Sequence, residues 1–141
     1  NKFMTVTFNS VKHDIWEGFL NSVKSAGFKL INIKAISSSA CSVVQDSRGG
    51  ALKGDLYLTF QKSSSINKPL TDYFESMDDN NVDKLIHQFL LKNGASSYHD
   101  IYSYVMPKVI KNGSVNNNTD IMNILQKRYK LEENKWDIMS E

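Results

Sequence analysis

The densest concentration of side chains able to hold a charged, hydrogen-bonding ligand is the run Ser42-Val43-Val44-Gln45-Asp46-Ser47-Arg48-Gly49-Gly50-Ala51-Leu52-Lys53-Gly54-Asp55. Arg48 and Lys53 can pair with phosphate. The carboxamide of Gln45 presents a donor and an acceptor together, the combination that reads or holds a base edge. Asp46 adds an acceptor beside them. The same run also fits a solvated, glycine-containing hairpin loop with no role, and residue types alone leave the two readings level.

Elsewhere the residues that carry chemistry are scattered. His13, His87 and His99 stand far apart in sequence and read as surface or capping residues. Asp78 and Asp79 lie in a hydrophilic stretch and read as a helix cap, not a catalytic pair. Cys41 is the only cysteine, which excludes an internal disulfide and a cysteine-built zinc site. It sits in a polar run with no base nearby and reads as a bystander. The chain contains no phosphate-binding glycine loop of the standard kinds, no His-Glu-x-x-His pair and no Gly-x-Ser-x-Gly elbow.

The elements that must position the 42–55 run are legible from periodicity. Alternation in Met4-Thr5-Val6-Thr7-Phe8 predicts a strand over 3–8, followed by turn and N-cap chemistry at Asn9 and Ser10. From Lys12 to Ala26, Ile15, Trp16, Phe19, Leu20 and Val23 fall at helical spacing, with Gly27 as the terminator. Phe28 to Ile36 alternates again, 37–54 reads as a polar loop, and Asp55 to Lys62 is a third strand. A helical crossover usually joins parallel neighbours, so the first two strands are expected side by side; the last two should pair antiparallel. Three strands and one helix cover a sheet poorly, which predicts an exposed apolar face, or a homodimer that covers it.

The polar stretch from Ser63 to Pro69 breaks the pattern and suggests a boundary. Two domains and a linker follow from it: an α/β portion over 1–62, a linker over 63–79 and a winged-helix-like helical domain over 80–141. In the last, helices are predicted from Asp78 to near Gly94, from Ser96-Ser97 through Ile110 with a kink or restart at Pro107, and from Asp120 through Tyr129. Tyr129–Leu131 and Trp136–Ile138 then form a short hairpin. Three helices and a hairpin is the winged-helix order.

Composition sets the outer limits. The 141 residues are 40% hydrophobic and 23% charged, ordinary for a soluble globular protein. No apolar run is long enough to span a bilayer and no signal-peptide pattern opens the chain, so a cytoplasmic protein with no membrane partner is expected. Residues 1–62 hold eight basic and four acidic side chains, a net +4, while 63–141 hold nine and eleven, a net −2. A basic first half suits a nucleic-acid partner, or is an ordinary solvated surface. A chain that opens on Asn1, almost directly in a strand, is expected to begin within a longer protein.

Met4-Thr-Val-Thr-Phe-Asn, Ile15-Trp16 with Leu20, Ala26-Gly27-Phe28, Ser42-Val-Val-Gln-Asp-Ser-Arg and Gly49-Gly-Ala-Leu-Lys-Gly-Asp55 together resemble the last part of the catalytic domain of bacterial DNA amino-methyltransferases, of the adenine-N6 or cytosine-N4 class. The resemblance covers residues 3–61; residues 82–139 resemble, less specifically, the helical tail of the same proteins. It implies the C-terminal edge of a Rossmann-like sheet, strand-helix-strand-strand, whose last two strands form an antiparallel hairpin, followed by a winged-helix-like module. It implies S-adenosylmethionine as cofactor of the parent protein and DNA as partner. It also implies that Gln45, Asp46, Arg48 and Lys53 lie on the DNA side of the site into which the target base is flipped.

The family's Asp/Asn-Pro-Pro-aromatic catalytic motif is absent, since the only prolines are Pro69 and Pro107, and so is its glycine-rich cofactor motif. No catalytic or cofactor residue carries over. The chain is therefore expected to be inactive alone, to bind no cofactor, and to work with an N-terminal part of the same protein. A winged-helix third helix often enters the major groove; here it would span about 119–130 and offer Asn123, Gln126, Lys127, Arg128 and Lys130 to DNA. Because this half is net acidic, docking to protein or plain structural support is an equal reading. Two rivals remain: a non-enzymatic winged-helix interaction module, and a free-standing enzyme with a site around Asp46, Arg48 and Asp55.

Overall fold

Alternation in the first segment produces β1, Phe3–Phe8, whose Met4, Val6 and Phe8 turn to one face. Helix α1, His13–Ser25, buries His13, Trp16 and Val23. Gly27 follows its C-cap Ala26, and its φ of 78° is the left-handed conformation that glycine adopts without steric cost. The start of α1 differs from expectation. Lys12 holds the N-cap position without a side-chain cap, while Ser10 Oγ accepts from the Lys12 N–H at 3.1 Å. Asn9 donates instead to the carbonyl of Gly54, across the sheet. Both candidate capping residues are thus spent on the turn and on a neighbouring strand.

Strands β2, Phe28–Ser37, and β3, Gly54–Lys62, complete an antiparallel-bonded sheet of order β1-β3-β2. The chain is a computed structural model that describes residues 2–37, 52–62, 77–111, 115 and 119–139. The antiparallel pairing of the last two strands is as expected. The placing of β1 beside β2 is not. Both run antiparallel to β3 and so parallel to each other, but β3 lies between them. The α1 crossover spans two strand spacings, and the most deeply buried strand fills the gap with Leu56, Leu58 and Phe60, each 2% exposed or less.

A register shift between Leu30 and Asn32 inserts Ile31 as an extra residue in β2. Without it, simple alternation would turn Leu30 and Ile33 to opposite faces. With it, Leu30 opposes Phe60 and Ile33 opposes Leu58, so both join the buried face while Ile31 is left exposed. Phe8, Trp16, Phe19 and Phe60 pack there as a ring cluster, Phe8 stacked on Phe19 at 4.4 Å between centroids and edge-on to Trp16 at 4.6 Å. The opposite face is mixed rather than apolar. Alternation assigns Phe3, Tyr57 and Ile36 to it, all at least 40% exposed, among Thr5, Thr7, Thr59 and Lys34.

The helical part starts with α2, Asp79–Asn93, and α3, Tyr98–Lys111. Short α4, Ile121–Arg128, runs into the hairpin β4, Tyr129–Glu132, and β5, Lys135–Ile138. Its caps follow the sequence closely. Asp78 accepts from Asn81 N–H, Ser97 from Asp100 N–H, and Asp120 from Asn123 N–H. Glu133 and Asn134 both have positive φ, the conformation that lets a two-residue turn match the twist of its strands. Helix α3 runs through Pro107 without restarting. Lys130 belongs to β4 and not to α4, because the helix stops at Arg128.

The segment between α2 and α3 also touches the hairpin. Ser96 and Trp136 exchange two backbone hydrogen bonds, of 2.9 and 2.8 Å. Val82, Ile86, Ile101, Val105, Ile121 and Leu125 fill the space between the helices. They belong to the same apolar cluster as Trp16 and Leu58. Among the described residues no helix is long and apolar enough to cross a membrane.

Candidate nucleic-acid interface

Of the seven residues selected from sequence, Gln45, Asp46 and Arg48 lie outside the described residues, as do Cys41 and the Ser63–Pro69 stretch. Lys53 lies at the entry to β3, half-buried. Its backbone N–H donates to His99 Nδ1 at 3.0 Å. One residue on, the carbonyl of Gly54 accepts from Asn9. The point at which the polar loop returns to the sheet is thus gripped from two sides, by the end of β1 and by the first turn of α3.

This grip lies at one end of the sheet. Phe8 pairs with Leu56 and Ser37 with Gly54, so the C-terminal ends of β1 and β2 and the start of β3 are level. Helix α3 reaches the same end. Tyr102 Oη donates to the Ser10 carbonyl at 2.9 Å and lies 2.9 Å from Trp16 Nε1, which donates to it and to the same carbonyl. His13, at the start of α1, lies 3.9 Å from the Asp120 carboxylate at the start of α4. Burial pushes the Tyr102 hydroxyl well above the ordinary tyrosine range, so it stays a neutral donor.

Gln126 and Lys127 are exposed in the last turn of α4. Arg128 is differently placed. Its guanidinium donates to Asp83 at 2.9 Å and to Asp79 at 3.2 Å, with Asn80 at 3.4 Å. Those hydrogen bonds and charges raise its pKa further, and they tie α4 to α2. Two carboxylates already neutralise it, so it offers far less to a phosphate than Lys127 does. Tyr129 Oη adds a second tie, donating to Asp83 at 2.8 Å.

The three histidines look alike in sequence, as surface or capping residues, and the structure separates them. His87 is exposed, whereas His13 and His99 are buried, at 5% and 7% exposure. The Ser97 cap that starts α3 explains why His99 lies in its first turn, but nothing local in the sequence announces its partner 46 positions away. His99 also lines an open groove of about 450 Å³ with Phe89, Asn93, Ser96, Asp100, Ser103 and Tyr104.

The groove holds a serine beside a histidine, with Ser103 Oγ 3.5 Å from His99 Nε2. It is not a nucleophile–base pair. A backbone N–H can only donate, so Nδ1 must present its lone pair to Lys53 and the ring proton sits on Nε2. The nitrogen facing Ser103 therefore has no free pair with which to take its proton. Burial lowers the His99 pKa, Asp100 opposes that, and Lys53 adds to it; a neutral ring is what the bond to Lys53 requires. Among the described residues no group of three or more histidine, cysteine or acidic side chains could hold a metal ion.

Comparison of the chain with protein-family models, curated proteins and solved structures finds no match.

Proposed function

We propose that the chain is the C-terminal portion of a DNA amino-methyltransferase, acting on the exocyclic amine of adenine or cytosine. In this reading, residues 1–62 form the far edge of a Rossmann-like sheet and the rest a winged-helix-like accessory module. S-adenosylmethionine binds to the N-terminal part of the parent, and this chain contributes the DNA-side wall of the base pocket. The observation that carries the reading is the β2–β3 hairpin. Its connecting segment, with Gln45, Asp46, Arg48 and Lys53, joins β2 and β3 at the C-terminal ends of β1 and β2. In open α/β sheets that edge is where ligands bind. A strand-helix-strand-strand unit ending in an antiparallel pair is also what the resemblance implies.

Support for the winged-helix-like arrangement comes from the helix order and from the bridge between Ser96 and Trp136, which adds a third strand-like segment to the hairpin. The exposed Gln126 and Lys127 then extend a DNA-facing surface, and Lys53 lies beside α3 of the same module. The Arg128 tether favours a second reading for α4 alone, docking to protein, because it removes one positive charge from the helix that would enter the groove.

Anisotropy titration of the chain with duplex DNA at several salt concentrations tests the proposal. Saturable binding that weakens with salt, and weakens further in Arg48→Ala with thermal stability unchanged, is the expected result. Binding indifferent to Arg48 would remove the loop from the interface. Calorimetry with S-adenosylmethionine should show no saturable heat; micromolar binding by the chain would contradict the assignment of the cofactor to the N-terminal part.

A further inference from the structure

The loop that the proposed function places against DNA returns to the sheet at Lys53 and Gly54, and the residue holding that point belongs to the other half of the molecule. We infer that His99 is a positioning residue: through the Lys53 backbone it lets the C-terminal module set where the DNA-side loop re-enters the sheet. This rests on the functional reading above for its consequence, but the clamp itself rests on geometry alone.

Three observations support the clamp. The bond from Lys53 N–H to His99 Nδ1 is 3.0 Å long and buried on the histidine side. It is paired with a second grip one residue later, where Asn9 holds the Gly54 carbonyl, so the backbone is fixed in direction as well as position. Helix α3 is itself fixed at this end of the sheet by Tyr102, which bonds Ser10 and Trp16. A side chain on a rigid, packed helix places a loop terminus more accurately than one on another loop.

The clamp has a protonation state built into it. Only the neutral ring can accept at Nδ1; the imidazolium would set one N–H against another. Among the described residues the charged groups acting on the ring are Asp100 on its own helix and Lys53 on the segment it holds, and Lys53 opposes protonation. Acid should therefore open the clamp, and only in a protein that has an imidazole there. Asparagine can put its carbonyl oxygen near the place of Nδ1 and does not titrate, so His99→Asn should keep the grip and lose the pH dependence.

The test is the Lys53 amide in nitrogen-15 spectra of the whole chain, with duplex DNA affinity followed in parallel. In the wild type the amide resonance should titrate together with the His99 ring, at a midpoint below the ordinary histidine value. It should stay flat with pH in His99→Asn. Its hydrogen-exchange protection should drop at least tenfold in His99→Leu and be largely retained in His99→Asn. DNA affinity should fall with acid through the same midpoint in the wild type and not in His99→Asn. A Lys53 amide that ignores His99 titration would overturn the clamp, and this wild-type measurement stands even if the leucine variant fails to fold. A titrating amide in a chain that binds no DNA at any pH would leave the clamp standing and overturn the functional reading.

Discussion

The two halves of the molecule solve the burial problem differently. The helical half surrounds its apolar side chains. Val82, Ile86, Ile101, Val105, Met106, Val109, Ile121 and Leu125 are fully buried between three helices and a hairpin. The sheet half covers one face and leaves the other to solvent, with Phe3, Ile36 and Tyr57 exposed on it. It also borrows from its neighbour, because Trp16, a member of its ring cluster, finds a side-chain partner in Tyr102 of α3. The sheet half is therefore the dependent one. Its loop-bearing end is built jointly, with Lys53 held by His99 and Ser10 by Tyr102.

The sharpest way to break that comparison is to empty the joint core from the sheet side. Trp16→Ala removes the largest fully buried side chain and should cost about 3–5 kcal/mol in chemical denaturation. If the halves are one cooperative unit, fluorescence and helical circular dichroism should report a single transition shifted as a whole. A surviving helical transition would mean the dependence runs only one way. Next, Ile101→Ala in α3 should cost about 2–5 kcal/mol and loosen the sheet as well, read from exchange of β3 amides.

Smaller changes test the seam itself. Tyr102→Phe keeps the ring and deletes the hydroxyl between Trp16 and Ser10, for an expected loss of about 1 kcal/mol. Acid should act on the same seam. His13 and His99 both have pKa values lowered chiefly by burial, so the unfolded chain takes up protons more readily than the folded one. Their contribution is fully present above the ordinary histidine value near 6.5 and is lost as pH falls below it towards the lowered folded values. A melting temperature that held or rose from pH 7 to 5.5 would contradict this. The smallest expected effect separates Lys127 from Arg128. Lys127→Ala should reduce the salt slope of DNA binding by about one, whereas Arg128→Ala should leave the slope unchanged and only loosen α4.

Much of this architecture is written locally in the chain. Period-two and helical spacing locate every described strand and helix to within about two residues at most ends, and Asp78, Ser97 and Asp120 cap the helices they were expected to start. What escapes is non-local. Insertion of β3 between β1 and β2 depends on pairing both edges of one strand, which no window of sequence contains. The bulge at Ile31 leaves only a doubled apolar pair, Leu30-Ile31, as a trace.

The candidate site was legible in residue type more than in partnership. Lys127 and Gln126 are exposed, as a binding role requires, but Arg128 has the same charge and is spent on Asp79 and Asp83 from another helix. Residue type does not single out His99, because its significance lies in a bond to Lys53, and a backbone N–H leaves no mark in residue type.

The proposed methyltransferase function requires a longer protein in which a cofactor-binding part precedes Asn1. Determining the coding sequence upstream of Asn1 is the most direct measurement. A glycine-rich cofactor loop and an Asp/Asn-Pro-Pro-aromatic motif are expected there in the same reading frame. A stop codon there, or an unrelated domain, would contradict the proposed function.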